Sequence, residues 1–222
     1  GNVVSFGLFL SPSPTMYKIY KKKSVEEFQA IPYIATVMNC MLWVYYGMPF
    51  VTKHNTLVYT INAIGLVIEL IYLVILYMYD KQSRIRKQIM FGLLGEIILM
   101  VAIILGTLLG IHKFSARDIP VGVMCDIFNI IMYFSPLAIA RKVIRTKSVK
   151  YMPLWLSVTG FVNAVLWTAY GLIIYDLFIL ISNGCGVVFG AMQLILYGVY
   201  YRSTPKDVDD DDAVKPSEVQ LS

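Results

Sequence analysis

Residues 39–47 read Asn-Cys-Met-Leu-Trp-Val-Tyr-Tyr-Gly, and residues 163–171 read Asn-Ala-Val-Leu-Trp-Thr-Ala-Tyr-Gly. The Asn, the Trp, the last Tyr and the Gly of the first stretch recur in the second at a shift of 124 positions. The same shift carries Lys23-Ser24-Val25 onto Lys147-Ser148-Val149. A match that keeps one offset over this length is typical of an internal duplication.

The composition predicts a membrane protein. Of the 222 residues, 58% are hydrophobic and only 15% are charged, and the mean hydropathy is +0.66. A soluble domain usually carries about a quarter of charged residues. We therefore expect an all-α integral membrane protein, because a helix satisfies its own backbone hydrogen bonds in lipid. Seven apolar stretches mark the transmembrane helices, at about 1–17, 31–50, 55–79, 89–111, 118–140, 152–174 and 177–200.

The positions of Lys and Arg predict the orientation of these helices. Most of the basic residues follow helices 1, 3, 5 and 7, and only Lys53, Lys113 and Arg117 fall on the other side. By the positive-inside rule, the N-terminus is then outside and the C-terminus is in the cytosol. Two three-helix repeats that are separated by one crossing share their orientation in the bilayer, so they are parallel repeats.

These assignments divide the chain into four parts. The first triple-helix repeat occupies 1–80, the linker helix 81–115 and the second repeat 116–201, which is a 3+1+3 arrangement. The first apolar stretch is shorter than the roughly 20 residues of a full span. We therefore expect the sequence to begin inside its first helix. Residues 202–222 contain four consecutive Asp and are predicted to form a disordered acidic tail in the cytosol.

Polar and aromatic side chains occupy matching positions in the two repeats. A carboxamide offers both a donor and an acceptor, and an indole offers a flat apolar face with a free N–H. The set suits a neutral polyhydroxylated ligand in a cavity at mid-membrane. Alternatively, the Asn side chains only join helices and the Trp side chains lie in the interfacial belt. The candidate binding residues are Asn39, Trp43, Asn62, Asn163, Trp167 and Asn183.

Prolines recur near the cytoplasmic ends of the predicted helices. Each proline removes a helical hydrogen bond and permits a kink, so we expect the hinges of an inner gate at these positions. For two of them the alternative is a simple helix start. The candidate hinges are Pro12, Pro32, Pro136 and Pro153. On the outer side, Tyr46 and Asp176 are candidates for closing a gate, with ordinary anchoring at the interface as the alternative.

The sequence lacks the residues that other classes of function would need. Cys40, Cys125 and Cys185 lie in apolar stretches, which indicates buried side chains and neither a disulfide nor a metal site. No phosphate-binding loop and no nucleophile–base pair can be assembled, so we predict neither an enzyme nor a cofactor. The basic residues border apolar stretches, which favours membrane lipid over nucleic acid as a partner.

Three acidic residues, Glu69, Glu96 and Asp126, lie inside predicted helices. Intramembrane acids are candidates for a function such as proton relay. None of the three is duplicated, whereas a relay is expected to line the axis that the repeats share. Passive uniport is therefore favoured over proton coupling.

Several motifs resemble the SWEET (MtN3/saliva) family of sugar facilitators, and the resemblance extends to about Tyr201. They include Leu-Ser-Pro-Ser-Pro-Thr at 10–15, Thr-Ile-Asn at 60–62, Met-Tyr-Phe-Ser-Pro-Leu at 132–137, Thr-Lys-Ser-Val at 146–149 and Gln-Leu-Ile-Leu-Tyr at 193–197. The resemblance implies a 3+1+3 fold and bidirectional, gradient-driven sugar transport by alternating access. It also implies homo-oligomers.

The resemblance assigns roles to single residues. It implies that Asn62 and Asn183 bind the sugar and that Trp43 and Trp167 stack on it. It implies that the four prolines form the inner hinges and that Tyr46 and Asp176 close the outer gate. Four further positions line the pocket and influence substrate size in the family, and they are Leu8, Asn39, Met132 and Asn163.

The resemblance is greatest to the plant clade that prefers hexoses. Asn at 39 and 163, where Ser would be smaller, is expected to shrink the cavity. We expect a mono- or disaccharide substrate, with glucose favoured, at the plasma membrane. Sucrose or a broader range of sugars and the vacuolar membrane are the alternatives.

The sequence departs from the family pattern at two positions. Ser182 stands where the family usually has Pro, so weaker helix unwinding is expected near Asn183, and Asp126 is an unusual acid in helix 5. A seven-helix receptor and a channel are the alternatives of a different class. Predicted helix 7 has no Lys, which excludes a retinal Schiff base there.

Overall fold

The computed structural model describes residues 1–25, 28–53 and 55–204. In these residues there are nine α-helices, two short 3-10 helices and no strand. The predicted tail from residue 205 onward lies outside the described residues. The α-helices are α1 (Asn2–Leu10), α2 (Ser13–Lys22), α3 (Ile31–Tyr46), α4 (Thr56–Tyr79), α5 (Arg84–Gly110), α6 (Asp118–Met132), α7 (Phe134–Thr146), α8 (Leu154–Ile174) and α9 (Leu177–Tyr200).

The nine helices of the described residues group into seven segments, which confirms the predicted all-α chain of seven helices. Only Ser11 and Pro12 separate α1 from α2, and only Tyr133 separates α6 from α7. The sequence predicted one helix for each of these two segments, with a kink permitted at Pro12 and Pro136, and the structure has a short break beside each proline. Proline removes the N–H that would bond the carbonyl four residues earlier. Accordingly, α6 ends at Met132, four residues before Pro136.

Five segments of the described residues are long and apolar enough to cross a membrane. They are Thr56–Tyr79, Arg84–Gly110, Asp118–Thr146, Leu154–Ile174 and Leu177–Ser203. The helix α3 is shorter, with 16 residues, and at 1.5 Å per residue it is about 24 Å long. The chain is therefore a multi-pass membrane protein.

The chain divides into two compact units. The N-terminal unit contains residue 2 and residues 9–128, and the C-terminal unit contains residue 1, residues 3–8 and the chain from Asn129 onward. In the N-terminal unit, α4 packs against both α2 and α3, and α5 packs against α3 and α4. In the C-terminal unit, α9 packs against both α7 and α8. In each unit, the third helix of the repeat thus contacts the two other helices of that repeat.

The buried clusters of the two units contain equivalent residues. Ile19 and Val25 are fully or almost fully buried in the N-terminal unit, and Val143 and Val149 occupy the same repeat positions in the C-terminal unit. These apolar side chains join the end of the first helix of each repeat to the third helix. The sequence repeat is therefore also a repeat of packing.

The duplicated Lys-Ser-Val motif ends the first helix of each repeat. Lys23 and Lys147 both adopt the left-handed backbone, with φ of 52° and 54°, at the C-termini of α2 and α7. Each Nζ donates over 3.1 Å to a Tyr hydroxyl near the end of the third helix, Tyr79 in the first repeat and Tyr200 in the second. One residue therefore both terminates a helix and ties it to its neighbour, in each repeat.

Candidate functional site

Asn62 and Asn183 lie near the starts of α4 and α9 and are half-buried. Nδ2 of Asn62 donates to the carbonyl oxygen of Val58, and Nδ2 of Asn183 donates to that of Ile179, each over 2.9 Å. These bonds fix both side chains along their own helices. In the part of the chain that the structure describes, neither Oδ1 accepts a hydrogen bond, so both carbonyl groups remain open to a ligand hydroxyl.

Asn39 and Asn163, the second predicted Asn pair, differ in their contacts. Oδ1 of Asn163 accepts a hydrogen bond of 2.7 Å from the hydroxyl of Ser5. Oδ1 of Asn39 is buried and has no hydrogen-bond partner in the described chain. A buried acceptor without a donor is costly, since the lost hydration is about 1–3 kcal/mol. The role of Asn39 in binding a ligand stays a prediction.

Ser5 joins two of the predicted binding residues inside the C-terminal unit. Its hydroxyl donates to Asn163 and accepts a hydrogen bond of 2.9 Å from Nε1 of Trp167. Ser5 is only 7% exposed. Ser5 was not among the residues predicted from the sequence, although a Ser within the apolar helix α1 was a signal, because a buried hydroxyl needs partners.

The two predicted Trp residues are buried in equivalent surroundings. The ring of Trp43 lies edge-on to Tyr46 at 5.5 Å between centroids, and the ring of Trp167 lies edge-on to Tyr170 at 5.4 Å. The geometry of such pairs is favoured by the ring quadrupoles. The duplicated Trp-x-x-Tyr spacing thus holds each indole at a fixed angle within its own unit.

Leu8 and Met132, the two predicted size-determining residues, lie at ends of helices. Leu8 is in the last turn of α1 and Met132 is the last residue of α6, and both are half-buried members of the C-terminal unit. Both positions shortly precede a helix break. The role of Leu8 and Met132 in substrate size stays a prediction.

The four predicted hinge prolines have two different local settings. Pro12 caps α2 directly after the first break, and Pro136 lies in the first turn of α7 after the second break. Pro32 is in the first turn of α3, and Pro153 caps α8. A proline at a helix start costs nothing, because its missing N–H has no partner there anyway. The structure thus associates helix breaks with Pro12 and Pro136.

Tyr46 and Asp176, the predicted outer-gate residues, each have a local role. The carbonyl of Tyr46 accepts a hydrogen bond of 2.6 Å from the hydroxyl of Thr52. Oδ1 of Asp176 accepts from the backbone N–H of Ile179 over 3.1 Å and so caps the N-terminus of α9. A carboxylate is favourable there because of the helix dipole. The gate role stays a prediction.

Tyr72 makes two hydrogen bonds to residues on either side of the first helix break. Its hydroxyl donates to the carbonyl of Phe9 over 2.9 Å, and its other contact is with the hydroxyl of Ser13 at 2.8 Å. Because the single phenolic proton goes to Phe9, Ser13 is the donor of the second bond. The sequence did not predict this arrangement, in which the two hydrogen bonds of Tyr72 span the turn at Pro12.

The second break is held by a different tyrosine. The hydroxyl of Tyr133 donates over 2.9 Å to the carbonyl of Ser182, the residue before Asn183. The helix α9 runs unbroken through Ser182 and Asn183. Serine keeps the backbone N–H that a proline would lack, so the helix has no cause to unwind.

Two of the three intramembrane acids have a buried oxygen without a hydrogen-bond partner in the described chain. Glu69 on α4 is 4% exposed, and its Oε2 has no hydrogen-bond partner in the described chain. Oε2 of Glu96 on α5 is also buried without a hydrogen-bond partner in the described chain. No three His, Cys, Asp or Glu side chains of the described residues group to hold a metal ion.

Comparison with known families gives two matches along the chain. The family described as "Sugar efflux transporter for intercellular exchange" matches residues 1–84 and again residues 120–205. The two matches leave out most of α5, the predicted linker helix. This division agrees with the internal repeat.

Comparison with individual proteins gives close relatives. The "Bidirectional sugar transporter SWEET7b" of Oryza sativa subsp. indica is 53% identical over 209 residues, which are 94% of this chain and 78% of the relative. The "Bidirectional sugar transporter SWEET8" of Arabidopsis thaliana is 52% identical over 224 residues, with 100% and 92% covered. The solved structure of a eukaryotic SWEET transporter is 35% identical, with a TM-score of 0.86 over 91% of this chain and 94% of that one. The predicted 3+1+3 order is consistent with this match.

Proposed function

This chain belongs to the SWEET (MtN3/saliva) family of sugar transporters, and we propose that it is a bidirectional, gradient-driven hexose uniporter that works by alternating access. It is a membrane-spanning transport protein for sugar and not an enzyme. Two finer assignments belong to the proposal. The transported sugar is a hexose, with glucose favoured, and the transport is passive.

The observation that carries the proposal is the paired chemistry of Asn62 and Asn183. Both carboxamides are fixed by the same hydrogen bond along their helix, and both leave their carbonyl oxygens open. A sugar presents many hydroxyl donors and no charge, which matches neutral amide acceptors better than charged side chains would. Each repeat thus contributes one carboxamide whose acceptor is open to a sugar hydroxyl.

The preference for a hexose is supported by the side chains at positions 39 and 163. Both are Asn, which is larger than Ser, and the Asn163 carbonyl is already held by Ser5. We expect the larger side chains to reduce the space for a substrate, which favours one sugar ring over two. Sucrose is the alternative that a larger site would favour.

Passive uniport is supported by the placement of the acids. Glu69 belongs to the first repeat, and its equivalent in the second repeat, Gly190, is not acidic, whereas Glu96 belongs to the linker helix, which has no equivalent. In the described chain, Oε2 of each acid is buried without a hydrogen-bond partner, so this oxygen is not joined to the paired Asn side chains. A coupling proton would need a relay that reaches the substrate.

The setting in the membrane is part of the proposal. The N-terminus is outside, the C-terminus is in the cytosol, and the plasma membrane is the location. The helix α5 leaves large apolar side chains such as Phe91 and Leu109 exposed, which suits contact with lipid or with a second copy in a homo-oligomer.

A counterflow assay tests the function. Proteoliposomes loaded with unlabelled glucose, fructose or sucrose are placed in labelled sugar of the same kind, and uptake is followed over time. Glucose is expected to exchange in both directions with saturable kinetics, and sucrose slowly. A flux that rises linearly with concentration would indicate a channel, and faster sucrose than glucose exchange would contradict the hexose assignment.

A further inference from the structure

In each repeat, an aromatic side chain next to the helix break contacts a glycine that lies about one helical turn after a proposed sugar-binding asparagine. The first pair is Phe9 on Gly65, and the second is Tyr133 on Gly186. The two aromatic residues are repeat-equivalent at a shift of 124, and the two glycines at a shift of 121. Each glycine follows its Asn by three residues, about one helical turn, so glycine and Asn lie near each other on α4 or α9.

The contact leaves no room for a side chain at either glycine. A Cβ added at Gly65 would overlap the Phe9 ring, lying 2.6 Å from its Cε1 atom. A Cβ added at Gly186 would lie 2.8 Å from the hydroxyl oxygen of Tyr133 and 3.1 Å from Cβ of Ala164. The Phe9 ring therefore packs directly on the backbone of α4, and the hydroxyl end of Tyr133 packs directly on the backbone of α9. The duplicated Asn-x-x-Gly spacing has a physical reason in this close approach.

A hydrogen bond reinforces each contact in its own way. In the first repeat, Tyr72 of α4 donates to the carbonyl of Phe9. In the second repeat, the ring carries the hydroxyl itself, and Tyr133 donates to the carbonyl of Ser182 on α9. The first and third helices are thus joined twice at each break. In the first repeat the contacts are made by the Phe9 ring and the Tyr72 hydroxyl, and in the second repeat the Tyr133 hydroxyl makes both.

We propose that Phe9 and Tyr133 are positioning residues that couple the helix break of each repeat to the sugar-binding asparagine of the same repeat. The inference rests on the proposed function, since it assigns how binding at Asn62 and Asn183 is transmitted. A close-packed contact does not stretch, so a change of angle at the break moves the helix that carries the Asn. The reverse also holds, and a sugar that pulls on the Asn changes the angle at the break.

A matched pair of glycine variants tests the coupling in α9. Gly186→Ala fills the contact, whereas Gly184→Ala adds a methyl group two residues away, where no atom lies within 4 Å. Sugar dissociation constants and counterflow rates are measured on the same purified, monodisperse protein. Overpacking should slow the transport rate of Gly186→Ala about tenfold, with the dissociation constant for glucose within about twofold of wild type. Gly184→Ala should match wild type in both quantities.

A second variant separates the coupling from simple damage. Tyr133→Phe removes the oxygen atom that a Cβ at position 186 would strike, so the double variant Gly186→Ala/Tyr133→Phe should recover at least half of the rate that Gly186→Ala loses relative to Tyr133→Phe. Tyr133→Phe alone keeps the ring in place but loses the bond to Ser182, and its rate should fall about threefold. If Gly186→Ala does not fold, the rate of Tyr133→Phe at unchanged affinity decides the question.

Other results would contradict the inference or the proposed function. Equal rates for Gly186→Ala and Gly184→Ala would overturn the inference, as would a parallel loss of rate and affinity that Tyr133→Phe does not recover. If Gly186→Ala does not fold, a wild-type transport rate for Tyr133→Phe would overturn the inference. A wild-type protein that exchanges no sugar would instead overturn the proposed function.

Discussion

Asn62 and Asn183 make the same hydrogen bond although they lie 121 positions apart in the sequence. Each Nδ2 donates over 2.9 Å to the carbonyl four residues earlier, which belongs to Val58 in α4 and to Ile179 in α9. The duplication has therefore kept the side-chain conformation as well as the residue type. Two fixed amides of this kind offer the same acceptor from each repeat.

The hydroxyl of Ser5 holds two groups that the proposed function assigns to the sugar. Ser5→Ala frees the carbonyl of Asn163 and the indole N–H of Trp167, which are then unpaired without sugar. Because a ligand hydroxyl can replace the lost bonds, the KM for glucose should fall about threefold or more. Gly7→Ala in the same helix adds a methyl group in open space and should leave KM unchanged. A higher KM in Ser5→Ala would show that Ser5 supports sugar binding and does not compete with it.

The side chains at positions 39 and 163 should set the size of the accepted sugar. The double variant Asn39→Ser/Asn163→Ser removes an amide from each repeat and enlarges the site. The ratio of sucrose to glucose uptake should rise at least about tenfold, since steric exclusion of a second ring costs more than about 1.4 kcal/mol. Parallel uptake of the two labelled sugars measures this ratio. An unchanged ratio would remove Asn39 and Asn163 from the set that limits substrate size.

The prolines at the two breaks should matter more than the prolines at helix starts. Pro12→Ala and Pro136→Ala restore a backbone N–H and allow the helix to continue, so exchange should slow about tenfold. Pro32→Ala in the first turn of α3 should change the rate less than about twofold, because its N–H has no helical partner. Counterflow rates of the three variants at equal protein density give the comparison. Equal losses in all three would favour four equivalent hinges.

The buried carboxyl group of Glu69 should have no part in energising transport. Glu69→Gln keeps the shape of the side chain, and its counterflow rate should stay within about twofold of wild type. Wild-type glucose flux should also be the same with and without a pH gradient across the vesicle membrane. Accumulation of glucose against its gradient when the vesicle lumen is made alkaline would show proton coupling.

The sequence predicted the helices and the pairing of candidate residues, but not the contacts that hold them. Constant offsets located Asn62, Asn183, Trp43 and Trp167, because a repeat preserves spacing. The bond between Ser5 and Asn163 joins residues 158 positions apart, and no local pattern reveals such a contact. It depends on tertiary packing alone.

The helix breaks show the same limit. Pro12 and Pro136 indicated a kink, since proline removes a helical hydrogen bond. The conformation of each break also depends on contacts with the third helix of the repeat, through Tyr72 in one repeat and the carbonyl of Ser182 in the other. The departure at Ser182 was visible in the sequence, but its partner Tyr133 was not.

Counterflow of labelled glucose with Asn62→Ala and Asn183→Ala tests whether the paired asparagines bind the sugar. Thr60→Ala is the control, because the Thr60 hydroxyl also bonds the carbonyl four residues earlier in α4 but is not part of the site. Both Asn variants should remain folded and monodisperse and lose at least about 90% of glucose exchange, since each leaves a sugar hydroxyl unpaired at a cost of about 1–3 kcal/mol. The control should keep the wild-type rate. Full exchange of glucose by both folded Asn variants would show that these asparagines do not bind the sugar.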